Sequence, residues 1–212
     1  MRARFWPVVC VLLLVWAPSA EGQSKEGQSN GVGIDVGIRA GVTSSQLWGS
    51  GVQSVSRRTG GVLGLFLRAD IAGPLSVQTE LLYVQKGAQF VTTSGSVSPG
   101  AEEDIRWDAP LNYVEVPLLL RADLAQLRSG SLMTVLAAGP TVSYLSVPIG
   151  GFPPDEPRYL QAGLLVGPSL TVDLGATDLS TSVRYRIGLT SVYDGAEPIR
   201  NRGIAATIGI AF

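Results

Sequence analysis

Gly203-Ile204-Ala205-Ala206-Thr207-Ile208-Gly209-Ile210-Ala211-Phe212 is the stretch on which the fold turns. Ile204, Ala206, Ile208, Ile210 and Phe212 fall on one side of a period of two, and Gly203, Ala205, Thr207, Gly209 and Ala211 fall on the other. Successive side chains of a strand point to opposite faces, so this pattern reads as a β-strand with one strongly apolar face and one face of small residues.

Working outward, the same arithmetic recurs. In Val32 to Val42 the even positions Val32, Ile34, Val36, Ile38, Ala40 and Val42 oppose Gly33, Asp35, Gly37, Arg39 and Gly41. In Val62 to Ile71, Leu63, Leu65, Leu67, Ala69 and Ile71 oppose Gly64, Phe66, Arg68 and Asp70. Val77 to Phe90 sets Val77, Thr79, Leu81 and Tyr83 against Gln78, Glu80 and Lys86, with Leu82 and Val84 blurring the division. Asn112 to Asp123, Leu132 to Leu145, Tyr159 to Val172 and Leu179 to Thr190 complete the set. Eight strands result, an even number as single-chain bacterial barrels require. The connectors alternate in length: Thr43 to Thr59, Val91 to Pro110, Ser146 to Arg158 and Ser191 to Arg202 are long, whereas Ala72 to Leu75, Leu124 to Ser131 and Asp173 to Asp178 are short. Long loops on one rim and tight turns on the other predict an all-β, eight-stranded antiparallel up-and-down transmembrane barrel spanning residues 31–212.

Upstream of this body the chain opens with Arg2 and Arg4, then an apolar run from Phe5 to Ala17 and the small residues Ser19, Ala20 and Gly22. That order reads as a secretory signal peptide over residues 1–22. Residues 23–30 are polar and read as a flexible tail. The apolar run is too short for a spanning helix, which needs about 20 residues.

Composition decides which face is wet. An eight-stranded soluble carrier of the lipocalin type alternates too, but its outer face is polar and rich in Lys and Glu. Here only 16% of residues are charged, against roughly 25% in soluble domains. The polar face is mostly Gly, Ser, Thr and Ala, which suits a narrow lumen. The charges on it are Arg39, Arg68, Lys86, Arg121, Arg184 and Arg186 against Asp35, Asp70, Glu80, Glu115 and Asp123. Such groups are costly in a small barrel unless paired, so they read as a lumenal salt-bridge network that plugs the tube. Trp48, Phe90, Trp107, Tyr144, Tyr159 and Tyr193 fall near the strand ends that meet the long loops and read as an aromatic girdle.

Several functions recede on composition alone. The sequence has no His, and its single Cys, Cys10, lies in the leader, so imidazole catalysis, zinc sites and thiol chemistry lack their residues. No catalytic, metal or cofactor residues are assigned. No Ser is evidently poised beside Lys86, the only Lys within the strands, for a Ser–Lys pair. A net charge of −1 gives no electrostatic case for nucleic acid. Around Trp107, Glu102, Glu103, Asp104, Arg106 and Asp108 lack the spacing of a calcium loop and read as a solvated acidic tip. Arg57, Arg58, Arg158, Arg200 and Arg202 lie toward the same rim, where they either solubilise loops or meet lipid phosphates.

Three segments carry a family resemblance: Gln78-Thr79-Glu80-Leu81-Leu82-Tyr83-Val84-Gln85-Lys86-Gly87, then Leu111-Asn112-Tyr113-Val114-Glu115-Val116-Pro117-Leu118-Leu119-Leu120, then Ala138-Gly139-Pro140. In order and spacing the chain resembles the outer membrane beta-barrel family of the PorT-like porin type. The resemblance implies a Gram-negative-type outer membrane, reached through the periplasm. It also implies that Phe212 is similar to the terminal aromatic recognised by the barrel-assembly machinery. It implies little about activity, since fold is not function. The expectation is a non-enzymatic barrel in contact with outer-membrane lipid and lipopolysaccharide, serving envelope structure or loop-mediated binding of an unassigned ligand. A small diffusion pore is the alternative, ahead of a soluble carrier or a barrel enzyme.

Overall fold

The structure, a computed structural model, describes residues 33–49, 55–95, 102–127, 132–148, 158–193 and 198–212, with the strand ends 55, 88–95, 102–109, 126–127 and 147–148 described by backbone alone. The leader and tail expected over 1–30 lie outside the described residues. Eight strands are present: β1 Ile34–Trp48, β2 Val55–Ala72, β3 Leu75–Gly95, β4 Glu102–Leu127, β5 Leu132–Pro148, β6 Leu160–Asp173, β7 Asp178–Gly188 and β8 Arg200–Ala211. Each pairs antiparallel with its sequence neighbours, and β8 pairs with β1, closing the barrel. Closure leaves no sheet edge with unpaired backbone groups, which a membrane demands because it offers no water to satisfy them. No helix among the described residues is long and apolar enough to cross a membrane; the crossing is made by strands.

The alternation falls as its chemistry requires. In β6 and β8 every other residue is buried, and the residues between are exposed. The exposed set is apolar: Ile38, Leu65, Leu118 and Ile208 are 50, 54, 54 and 58% exposed. A continuous belt of this kind is intolerable in water and is what lipid requires. The buried set is small or polar, so the lumen is narrow. Leu82 and Val84, which blur the pattern of β3, point inward into an apolar patch with Val62 and Ala205. Inward Gly37 is a close-approach glycine, because a Cβ there would lie 2.3 Å from the Phe66 ring. Its absence lets that ring lie in the lumen, with the Arg39 guanidinium 5.2 Å from the ring centre.

Four strands run well past their expected ends. β1 extends to Trp48, β2 starts at Val55, and the β3/β4 ladder continues to Gly95 paired with Glu102. The acidic stretch expected as a loop tip is therefore the start of β4. Two of the short turns are described and are tight: Gly73, at φ +54°, makes the β2–β3 turn before Pro74, and Gly175, at φ +92°, sits between β6 and β7. Long hairpins and short turns occupy opposite rims, and both ends of the barrel sheet lie on the short-turn rim. That rim is periplasmic and the long-hairpin rim is external.

Candidate functional site

The lumen is filled in layers, and each layer is built by strands far apart in sequence. At its centre Glu80, on β3, is buried between two cations from other strands. Arg184 on β7 donates to it at 2.8 and 2.9 Å, and Arg39 on β1 lies 3.5 Å away. Gln78 also donates to Glu80 and in turn accepts from Arg121, so Arg121 joins the cluster through an amide. Arg39 further donates to Ser182 at 3.3 Å.

A second cluster centres on Glu115 of β4, which is fully buried. Lys86 reaches one carboxylate oxygen at 2.6 Å, and Arg186 reaches the other through Nη2 at 2.7 Å and Nε at 2.9 Å. Ser143 donates to Glu115 at 2.9 Å and accepts from Lys86 at 3.3 Å. A Ser is thus beside Lys86 after all, contrary to the sequence expectation. Its hydroxyl is spent on the carboxylate, and the Lys charge is held by Glu115, so the pair is a structural bridge and not an activated nucleophile. The cavity against this cluster measures only about 10 Å³, the room of about one water-sized sphere.

Toward the external end the filling turns apolar. Leu47, Leu111, Tyr113, Leu145, Val192 and Tyr193 pack together, joined by Ile199. Val192 and Tyr193 belong to the β7–β8 connector, which folds inward. Val192 donates to the Ile199 carbonyl at 2.6 Å, and its own carbonyl accepts from Arg158 at 2.8 Å. Tyr113 links this cap to the charges below, since Lys86 lies 4.7 Å from its ring centre and Gln161 donates to its hydroxyl at 2.8 Å. At the periplasmic rim Arg68 is held by Asp35 and, at 2.6 Å, by Asp178.

The expected lumenal residues thus divide. Asp35, Arg39, Arg68, Glu80, Lys86, Glu115, Arg121, Arg184 and Arg186 all lie within it. Asp70 does not: β2 and β3 shift register beyond it, and it is exposed at the rim. Asp123 is half-buried near the same rim and makes no ion pair among the described residues. Asp178, assigned from sequence to a turn, takes the place of a missing anion, and Gln78, Ser143 and Ser182 complete the contacts. No sequence spacing announces these partners, because they meet only across the closed barrel.

Of the expected girdle, Trp48, Tyr144 and Tyr159 point outward at the external end, with the two Tyr rings 6.2 Å apart. Tyr193 does not belong to it: the side chain is 3% exposed within the apolar cap. Phe90 and Trp107 face each other in the β3/β4 register, and their side chains lie outside the described residues. Phe212 is 67% exposed, and its backbone pairs with Val36 at the periplasmic end of the β8/β1 seam.

Apolar belt, closed ladder and polar filling together define an integral outer-membrane β-barrel. The chain belongs to the outer membrane protein beta-barrel domain family, whose match spans residues 23–147, and it resides in the Gram-negative outer membrane. Among solved structures it is similar to Neisserial surface protein A, NspA, at 14% identity and a TM-score of 0.54, covering 86% of this chain and 99% of that one. It is also similar to OprG from Pseudomonas aeruginosa (13% identity, TM-score 0.49, 84% and 94% covered). A third is Ail, the attachment invasion locus protein of Yersinia pestis (17% identity, TM-score 0.42, 84% and 98% covered). At these identities the likeness is one of fold. No curated protein matches the sequence significantly.

Proposed function

We propose that this protein is a non-conducting, non-enzymatic outer-membrane barrel whose body serves the envelope and whose external rim meets its partners. One observation carries the reading: Glu80 and Glu115 each bind two cations drawn from different strands, beneath an apolar cap. Charges so placed are expensive to bury and expensive to separate, because breaking a buried pair leaves an uncompensated charge. A passage through them would need several such pairs to part at once. An eight-stranded barrel has an interior just wide enough for its side chains to fill.

The proposed partners follow from where surface remains. The belt faces lipid, the external rim faces lipopolysaccharide, and during biogenesis the barrel-assembly machinery meets the β8 end at Phe212. No nucleic-acid partner is proposed. Liposome swelling tests the closed lumen: proteoliposomes carrying the protein in small-sugar solutions should swell no faster than protein-free liposomes. Swelling at the rate of a general diffusion pore would assign the barrel to the porins instead.

A further inference from the structure

Two neighbouring depressions lie on the outward side of the barrel wall, the lower running from β5 to β8 and β1 and the upper across β7, β8, β1 and β2. The lower one, about 680 Å³, is lined by Ala40, Val42, Leu170, Val183, Ala206 and Ile208, with small residues where neighbouring belt positions carry Leu or Ile. The upper one, about 170 Å³, is lined by Arg57, Arg202, Gln46, Ser44, Tyr185 and Ile204. They are neighbours along the β1/β8 ladder, where Val42 pairs with Ala206 in the lower one, and Ser44 with Ile204 and Gln46 with Arg202 in the upper. The four steps from Ala206 to Arg202 span about 13 Å of strand.

The upper depression is basic and fixed in place. Arg57 donates to Gln46 at 3.2 Å, which holds its guanidinium beside Arg202 across β1. Arg200 and Arg202 both lie over the Trp48 ring, at 5.8 and 5.7 Å from its centre. Stacking on an indole leaves guanidinium N–H groups free to donate to phosphate oxygens. No carboxylate lines either depression. Arg58, by contrast, is engaged with the Lys86 carbonyl at 3.0 Å. Trp48 sets the height, since Trp concentrates at the membrane–water interface.

A cationic pocket at headgroup level above an apolar groove at acyl level has the polarity of a single amphiphile. We propose that this face binds one phosphorylated acyl lipid of the outer leaflet, its phosphate between Arg57 and Arg202 and an acyl chain along Ala206 and Val42. The site deepens the proposed lipid contacts of the rim and is independent of the closed lumen, because the residues that would hold the lipid, Arg57, Arg202, Val42 and Ala206, are all exposed on the outward face.

Trp48 is a built-in reporter. With Trp6, Trp16 and Trp107 all changed to Phe, so that Trp48 is the one indole left, the protein in phosphatidylcholine nanodiscs is titrated with phosphatidic acid or phosphatidylcholine carrying brominated chains, which quench indole fluorescence on contact. Phosphatidic acid should reach half-quenching at about a tenfold lower mole fraction, the scale expected of one or two interfacial Arg charges. Arg57→Gln combined with Arg202→Gln should remove that preference, and Ala206→Phe, which fills the groove, should weaken quenching by phosphatidic acid. None of these variants should change liposome swelling, so failure here and failure of the closed-lumen reading are separable. Equal quenching by the two lipids, a comparison that needs no Arg variant, would overturn the proposal. So would an undiminished preference in the double variant. Reversal of quenching by inorganic phosphate alone would show a site for free phosphate and overturn the lipid assignment.

Discussion

Glu115 illustrates how much a single carboxylate holds in this lumen. It accepts from Lys86, Arg186 and Ser143, three groups on three other strands. Glu115→Ala strands two buried cations, and the loss of one partner from a buried pair costs about 3–5 kcal/mol. A urea unfolding titration in detergent should show that loss in full, whereas Asp70→Ala, an exposed rim change, should stay within about 0.5 kcal/mol of wild type. Equal stability for the two variants would mean that the lumenal charges are solvated. At this scale the sequence was legible where alternation was clean. Nine of the eleven expected charges lie in the lumen, because each sits inside a strand whose apolar face fixes which way it points. Asp70 misled because it falls at a strand end, where register shifts and the rim opens, whereas Asp123, beside a similar shift, acts on Arg121 through space without a direct ion pair among the described residues. Tyr193 misled because girdle and cap use the same residue type at the same height, and only the inward fold of its connector separates them.

Strands were easier to find than to end. All eight lie where the period-two pattern puts them, but the pattern records the membrane and not the ladder. Beyond the lipid belt both faces of a strand meet water, so apolar alternation stops while backbone pairing continues, as in Gly95 with Glu102. The β8/β1 seam closes last in chain order, with Phe212 at its periplasmic end. That side chain is mostly exposed, so it adds little packing to the finished barrel. Deleting Phe212 should therefore lower the amount of assembled protein in isolated outer membranes while leaving the stability of the refolded, purified barrel nearly unchanged. Equal outer-membrane abundance would remove Phe212 from the assembly step, and a large loss of stability in vitro would make it a structural residue.

For the whole molecule, two opposite solvents are served by one alternation: lipid outside by Ile, Leu and Val, and a confined polar interior by paired charges and small residues. Which strands bring their charges together depends on barrel closure and stagger, and these leave no local mark in the sequence. Glu80 and Arg184 are 104 residues apart, yet Nη1 of Arg184 donates to both carboxylate oxygens of Glu80. In the function proposed above, those contacts keep the tube shut. The most direct measurement is single-channel recording of the purified wild-type protein in a planar bilayer, with incorporation verified by recovering folded protein from the membrane. A closed lumen gives a flat baseline at all moderate voltages. Discrete, long-lived conductance steps from the wild-type barrel would contradict it and make the layered charges the lining of a hydrated channel.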